Sequence, residues 1–281
     1  MTKKGVPSGP TDLTAIRAQI DSIDEALHML LLLRSDIIGR LIEVKKTSES
    51  GSAFRPGREN EVLRQRAERH RGLLPFTCVE NVWRVIISTF TWVQAPYTVF
   101  GAVEGESDLM RDVARFNFGF TVPYQPLADA AAVIAAVKAS RGDLGLIPVH
   151  HRAGTPWWEE FTPPEAPKII AELPLALHED TPFPAPVFVV ANPIIEPEDG
   201  KRYVYAARLV SETGMPESPG FTREGVSLRA QCRVGEELSC LLTSRESLVG
   251  LENTRLSGNP EVRLASLCQI GRLPHPVIFG E

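Results

Sequence analysis

Residues 30–46 read LLLLRSDIIGRLIEVKK, and they decide how the first third of this 281-residue chain is to be read. Upstream, Ile16, Ile20, Ile23, Leu27 and Leu30 recur at alternating steps of four and three, which marks one apolar face of a helix. The next step of four lands on Arg34, and the pattern then resumes with Ile37, Leu41 and Val44. A guanidinium on that seam is partly desolvated and cannot shed its charge, so either it has an anionic partner, or it is misplaced there, or the helical phase differs. The pattern predicts one long helix from Thr11 or Asp12 to about Thr47, crossed by no proline and by a single glycine, Gly39.

The elements on either side follow from punctuation. Residues 1–11 read as a disordered leader, and SESGSAFRPG (48–57) reads as a loop by composition. A second helix is expected from about Arg58 to Arg71, with Glu59 and Glu61 in its first turn, ended by Gly72 and Pro75. A third is expected from Phe76 to Ala95, with Val79, Val82/Trp83, Ile86/Ile87, Phe90 and Val93 on one face and Pro96 as terminator. From Tyr97 onward the character changes. Strands are expected in YTVFGAV, DLGLIPV, APVFVVAN and KRYVYAARLV, and a helix in LADAAAVIAAVKAS. The organisation expected is therefore a leader (1–11), an all-α domain of three helices (12–97) and an α/β domain (98–281).

Composition narrows the function classes. Hydrophobic residues make up 43% and charged residues 23%, the balance of a soluble globular protein. The net charge of −5 argues against a polyanion binder, so no nucleic-acid partner is expected. The charge is uneven: residues 1–97 hold 14 basic and 11 acidic side chains, residues 98–281 hold 16 and 24. The positive excess of the first part suits a small anionic ligand, or simply solvated helix faces. Cys78, Cys232, Cys240 and Cys268 lack CxxC spacing and the six histidines form no ligand pattern, so no metal is expected. The start MTKKGVPSGPTDL has no apolar core for a signal peptide, and Leu30–Leu33 is far short of the roughly 20 residues needed to span a bilayer. Cytoplasmic residence with reduced thiols and no membrane association is the expectation.

Helical geometry arranges the cations. Arg34 and Lys45 are 11 residues apart, about 16 Å of rise and only about 20° of rotation, so both face one way and can close around one small dianion. Arg17 lies about 42 Å from Lys45 along the helix and cannot reach the same ligand from the same chain. If it serves this site it comes from a second, antiparallel subunit. Arg58 and Glu59 open the second helix, where the amide end attracts anions and a carboxylate can accept from a ligand hydroxyl. Gln94 lies beside the apolar face of the third helix and needs a partner for its amide. Each residue also has a purely structural reading. Arg34 fits an interhelical ion pair with Asp36 or Glu43 of a partner. Lys45 and Gln94 fit helix ends, Glu59 a first-turn carboxylate, and Arg17 the surface.

Taken together, LTAIRAQIDSIDEALHMLLLLRSDIIGRLIEVKK, RPGRENEVLRQR and VENVWRVIISTFTWVQA resemble the all-helical class of chorismate mutases over residues 12–97. The order that carries the resemblance is Arg17, Ile20 to Asp24, Arg34, Lys45, Arg58–Glu59 and Gln94. It implies an intertwined helical homodimer in which Arg34 and the partner's Arg17 hold the two carboxylates of chorismate. Lys45 and Gln94 then hydrogen-bond the ether oxygen, Glu59 binds the ring hydroxyl, and Arg58 fixes the start of the second helix. No cofactor, metal or nucleophile is implied. The conversion to prephenate is an intramolecular rearrangement that requires a held conformer and donors where charge develops. Two positions depart from the family pattern: Arg55 stands where an acid is frequent, and Phe90 where a small hydroxyl residue is frequent. Related helical proteins split pyruvate from isochorismate with a similar cation set, and these residues leave that alternative open.

The second part is similar to prephenate dehydratase only in the strand-and-turn GDLGLIPV. The T-R-F tripeptide of that family is absent, the nearest string being Thr222-Arg223-Glu224, and SRESL (244–248) is not its E-S-R-P motif. His150–His151 follow an expected strand end, where α/β sites form, or are two loop histidines. The reading is a degenerate dehydratase-like α/β domain. For the chain as a whole the expectation is a chorismate mutase serving phenylalanine and tyrosine synthesis, and the alternatives are a bifunctional mutase–dehydratase and a non-catalytic helical dimerisation or ligand-sensing module.

Overall fold

The computed structural model describes residues 12–45, 54–104, 106–150, 154–179, 186–193, 202–216, 224–251, 254–256 and 259–279. The expected leader, most of the 48–57 loop, Lys46, His151, Thr222 and Arg223 lie outside them.

Three helices come first: α1 (Leu13–Lys45), α2 (Pro56–Arg69) and α3 (Phe76–Gln94). α2 begins two residues earlier than its charge pattern suggested. Pro56 takes a first-turn position, where its fixed φ suits the helix and its missing N–H is no loss. Then follow β1 (Val99–Ala102), α4 (Ser107–Phe118), β2 (Tyr124–Leu127), α5 (Ala130–Ala139) and β3 (Leu144–Pro148). After a 3₁₀ turn (Trp157–Phe161) come β4 (Lys168–Leu173), β5 (Ala176–Leu177), β6 (Val187–Ala191) and β7 (Arg202–Ser211). The last strands are β8 (Val226–Val234), β9 (Glu237–Ser244), β10 (Arg255–Leu256), β11 (Asn259–Leu273) and β12 (Val277–Ile278).

Among the described residues the main sheet has ten strands in the order β2-β1-β3-β6-β4-β11-β7-β9-β8, with β10 beside β11. β1, β2 and β3 are parallel and the neighbours from β3 to β6 to β4 alternate. The strand VFVVA of β6 is buried throughout because both sheet faces are covered. Val187, Val189 and Ala191 meet the α4 side, while Phe188 and Val190 meet the α5 side with Val133, Ile134 and Val137. β11 runs antiparallel to β7 and touches β4 in parallel only at Gly271. A Cβ at Gly271 would collide with the Ile169 carbonyl, so that crossing requires glycine.

The expected break after Tyr97 is not a break between compact units. Residues 1–49 form one unit and residues 50–281 the other, so α2 and α3 share a unit with the sheet. The reason lies in α3, whose buried residues are Phe76, Glu80, Arg84, Ser88 and Thr91. This largely polar face is spent on the end of α4: Ser88 Oγ donates to the Phe118 carbonyl at 3.0 Å and Asn81 Nδ2 to the Phe116 carbonyl at 3.1 Å. The chain's last described stretch braces the same helices. β12 pairs with β5, Asn60 Nδ2 of α2 donates to the His275 carbonyl at 2.7 Å, and Phe279 stacks on Phe76 with centroids 4.3 Å apart.

On the other sheet face Trp158 is fully buried, and its indole N–H donates to Ser239 Oγ at 2.9 Å. Ser239 in turn donates to Glu159, which Arg208 grips through two nitrogens. Trp158→Phe removes volume and leaves Ser239 short of one bond, so it is expected to lower unfolding stability by about 1–2 kcal/mol. Urea unfolding of variant and wild type measures it.

Candidate active site

The expected site residues divide between the two units. α1 carries Arg17, Arg34 and Lys45, the last being the helix's final residue. The 33-residue run forms one helix because nothing in it breaks the backbone and its seam keeps helical period. Its apolar side chains are exposed, Leu30 at 61% and Ile37 at 56%, although they are the natural core face. Arg17 is exposed. Arg34 is half-buried, and burial lowers its guanidinium below the ordinary value. It remains charged at any physiological pH. Arg34 and the apolar positions on either side of it thus lie on one continuous helix.

The other unit carries Arg58, Glu59 and Gln94. Arg58 is exposed in the first turn of α2. Glu59, the next residue, is 3% exposed, and its carboxylate is paired with Nη1 of Arg84, which is itself fully buried on α3. Burial of the pair is tolerable because each charge cancels the other. The Arg84 guanidinium also lies over the Phe118 ring, 5.8 Å from its centroid. Tyr97 is buried nearby, and desolvation pushes its hydroxyl well above the usual phenol range, with the Glu59 charge adding to the rise. Gln94 folds back on its own helix, its Nε2 donating to the Phe90 carbonyl at 3.0 Å. Arg55 donates to the neighbouring Phe54 carbonyl, and Phe90 is half-buried.

α3 is two-sided. Its polar face is buried in its own unit, while Val82 and Val93 of the apolar face are 43% and 47% exposed. The other residues of that face, Val79, Trp83, Ile86, Ile87 and Phe90, are half-buried.

Sequence reading passed over Arg84. The signal was there in the spacing of Glu80, Arg84 and Ser88, a polar stripe at helical period opposite the apolar one. One turn before Arg84, Glu80 is fully buried and hydrogen-bonded to His178 Nε2 at 3.0 Å. Burial raises the Glu80 carboxyl, and the hydrogen bond and charge of His178 and the charge of Arg84 oppose that rise without cancelling it. A carboxyl whose folded value lies above its unfolded 4.5 favours the native state fully only below 4.5. That contribution is lost as pH rises through the folded value. Glu80→Gln cannot ionise, so its melting temperature relative to wild type is expected to improve as pH rises from about 4 to about 7. Thermal melts across that range check it, and an unchanging difference would contradict the reading.

Among the described residues no cluster of His, Cys, Asp and Glu is suited to a metal, and no helix is long and apolar enough to cross a membrane. His150 follows β3, half-buried.

Comparison with known proteins agrees with the helical reading. Residues 16–95 match the family described as chorismate mutase type II. The bifunctional chorismate mutase/prephenate dehydratase of Aquifex aeolicus is 28% identical over 144 residues, covering 50% of this chain and 39% of that protein. Its counterpart in Pseudomonas aeruginosa is 30% identical over 143 residues, with the same coverage. Among solved structures, a prephenate dehydratase from Streptococcus mutans aligns at 12% identity with a TM-score of 0.36, over 65% of this chain and 100% of that one. The chain spans about two fifths of the length of the curated relatives it matches. The helical region of this chain, residues 16–95, is thus similar to the type II chorismate mutases over the stretch that bears Arg17, Arg34, Lys45, Glu59 and Gln94.

Proposed function

We propose that the chain is a chorismate mutase, rearranging chorismate to prephenate for phenylalanine and tyrosine synthesis. The observation that carries the reading is Arg34, a cation set into the apolar seam of a helix within the region similar to the type II mutases. Arg34 of one chain and Arg17 of a second copy bind the two carboxylates. Lys45 and Gln94 donate to the ether oxygen as negative charge grows there, and Glu59 accepts from the ring hydroxyl, with Arg58 fixing the helix start. The protein then works by holding the compact conformer and stabilising developing charge, without a nucleophile.

The homodimer is part of the proposal. The exposed α1 seam and the outer face of α3 are the surfaces it would bury, and antiparallel α1 helices bring Arg17 within reach of a site it cannot serve alone. Residues 12–97 are the mutase module in this reading and residues 98–281 an α/β module of dehydratase-like ancestry, even though α2 and α3 are built into the latter's compact unit. A cytoplasmic setting suits the four free cysteines.

The test is to incubate the purified protein with chorismate, follow its loss, and identify the product by NMR without an acid quench. Prephenate is the expected product. Phenylpyruvate formed without acid would establish the bifunctional reading instead. Persistence of chorismate would favour the non-catalytic module and make isochorismate the next substrate.

A further inference from the structure

Glu59 is given its role in the proposed site as a hydroxyl acceptor, yet it is nearly sealed from water, and a sealed carboxyl tends to take up a proton. A protonated Glu59 would offer a donor where the ligand hydroxyl needs an acceptor. A residue on another helix opposes this. Arg84 lies 25 positions downstream, has no exposure of its own, and directs Nη1 at Glu59 Oε2. The seat of Arg84 is built by the α/β unit: the Phe118 ring lies under the guanidinium, Ser88 one turn on is tied to the Phe118 carbonyl, and Glu80 one turn back is tied to His178. Arg84 Nε and Nη2 find no hydrogen-bond partner among the described residues, so the pair with Glu59 is the guanidinium's principal compensation.

We propose that Arg84 is a positioning residue of the mutase site, holding Glu59 in place and ionised so that it accepts from the ligand hydroxyl. The inference rests on the proposed function for the ligand, and on the structure for the pair. It follows that Phe118 and His178, which lie beyond the three helices and help to seat Arg84, contribute to the mutase site without touching substrate.

The experiment compares wild type, Arg84→Gln, Arg84→Lys and the double variant E59Q/R84Q as full-length proteins. Two readouts are taken: the pH profile of chorismate kcat/KM, and the titration of the Glu59 side-chain carboxyl by ¹³C NMR, assigned with Glu59→Gln. In R84Q the carboxyl is expected to titrate at higher pH, kcat/KM near pH 7 to fall by about tenfold or more, and activity to recover as pH rises. R84K retains a charge and is expected to keep most of the activity. E59Q/R84Q should lack the new inflection. A Glu59 carboxyl that titrates alike in wild type and R84Q overturns the proposal, as does a parallel pH profile. If R84Q does not fold, restoration of folding in E59Q/R84Q supports the pairing, and failure to restore it overturns the pairing. If wild type leaves chorismate unchanged the assigned function fails, and the NMR titration, which needs no ligand, still decides whether Arg84 holds Glu59.

Discussion

Arg34→Ala is expected to lower chorismate turnover by about 10³-fold or more while leaving the protein folded and its oligomeric state unchanged. The two halves of that expectation have separate physical grounds. Alanine is the best helix former and Arg34 sits mid-helix in α1, so the backbone loses nothing. Arg34 is half-buried rather than sealed in a core, so its truncation opens no large cavity. The activity falls because a charge-assisted clamp on one substrate carboxylate is gone, and with it the orientation of the reacting ends. Arg34→Lys should recover only part, since a point charge replaces a planar fork. Steady-state kinetics with circular dichroism and sedimentation of the same samples test both halves. Full activity in Arg34→Ala would remove Arg34 from the site.

Leu27→Asp is expected to have an effect of similar size by another route. Leu27 lies mid-seam on α1 and is 55% exposed on its own helix. In a two-fold dimer every seam substitution is present twice. Each copy forfeits about 1.5–3 kcal/mol of apolar burial, and each introduces a charge that must be stripped of water. Sedimentation at micromolar concentration should show monomer, and turnover should fall with the dimer. A complementary mixing experiment separates loss of assembly from loss of a residue. Unfolding and refolding Arg17→Ala with Arg34→Ala in equal amounts should yield half heterodimers, each with one intact site, and so restore about a quarter of wild-type activity. No recovery would place Arg17 and Arg34 in the same chain's site or outside it altogether.

The helical part was legible because its signals are local. Breakers and period sufficed for α1, α2 and α3 to within a few residues, and the strands around Phe100, Leu146, Val189 and Tyr205 stood out as apolar runs. α4 was missed although Met110, Val113, Ala114 and Phe118 keep helical spacing, because Arg111, Asp112 and Asn117 dilute the stripe. β8, β9 and β11 were missed because polar and charged residues interrupt their apolar positions and only their pairing makes them strands. The cations of the candidate site could be read from a single helix. Glu59's partner could not, since nothing local says which of two faces of α3 is turned inward, and there the polar one is.

The brace formed by residues 275–279 has a consequence for how the chain acquires its structure. The Asn60–His275 bond closes a sequence separation of 215 residues, and the stacking of Phe279 on Phe76 closes one nearly as long. Contacts of that span form late, because loop closure must precede any reward from them. The hydrogen bonds within α1 are local, and a helix completes such turns in microseconds or less. α2 and α3 emerge from the ribosome ahead of the sheet but acquire their final neighbours only after residues 275–279 have been synthesised. α2 and α3, which carry Glu59 and Gln94, are thus made before the strands they pack with and settle only once those strands are in place.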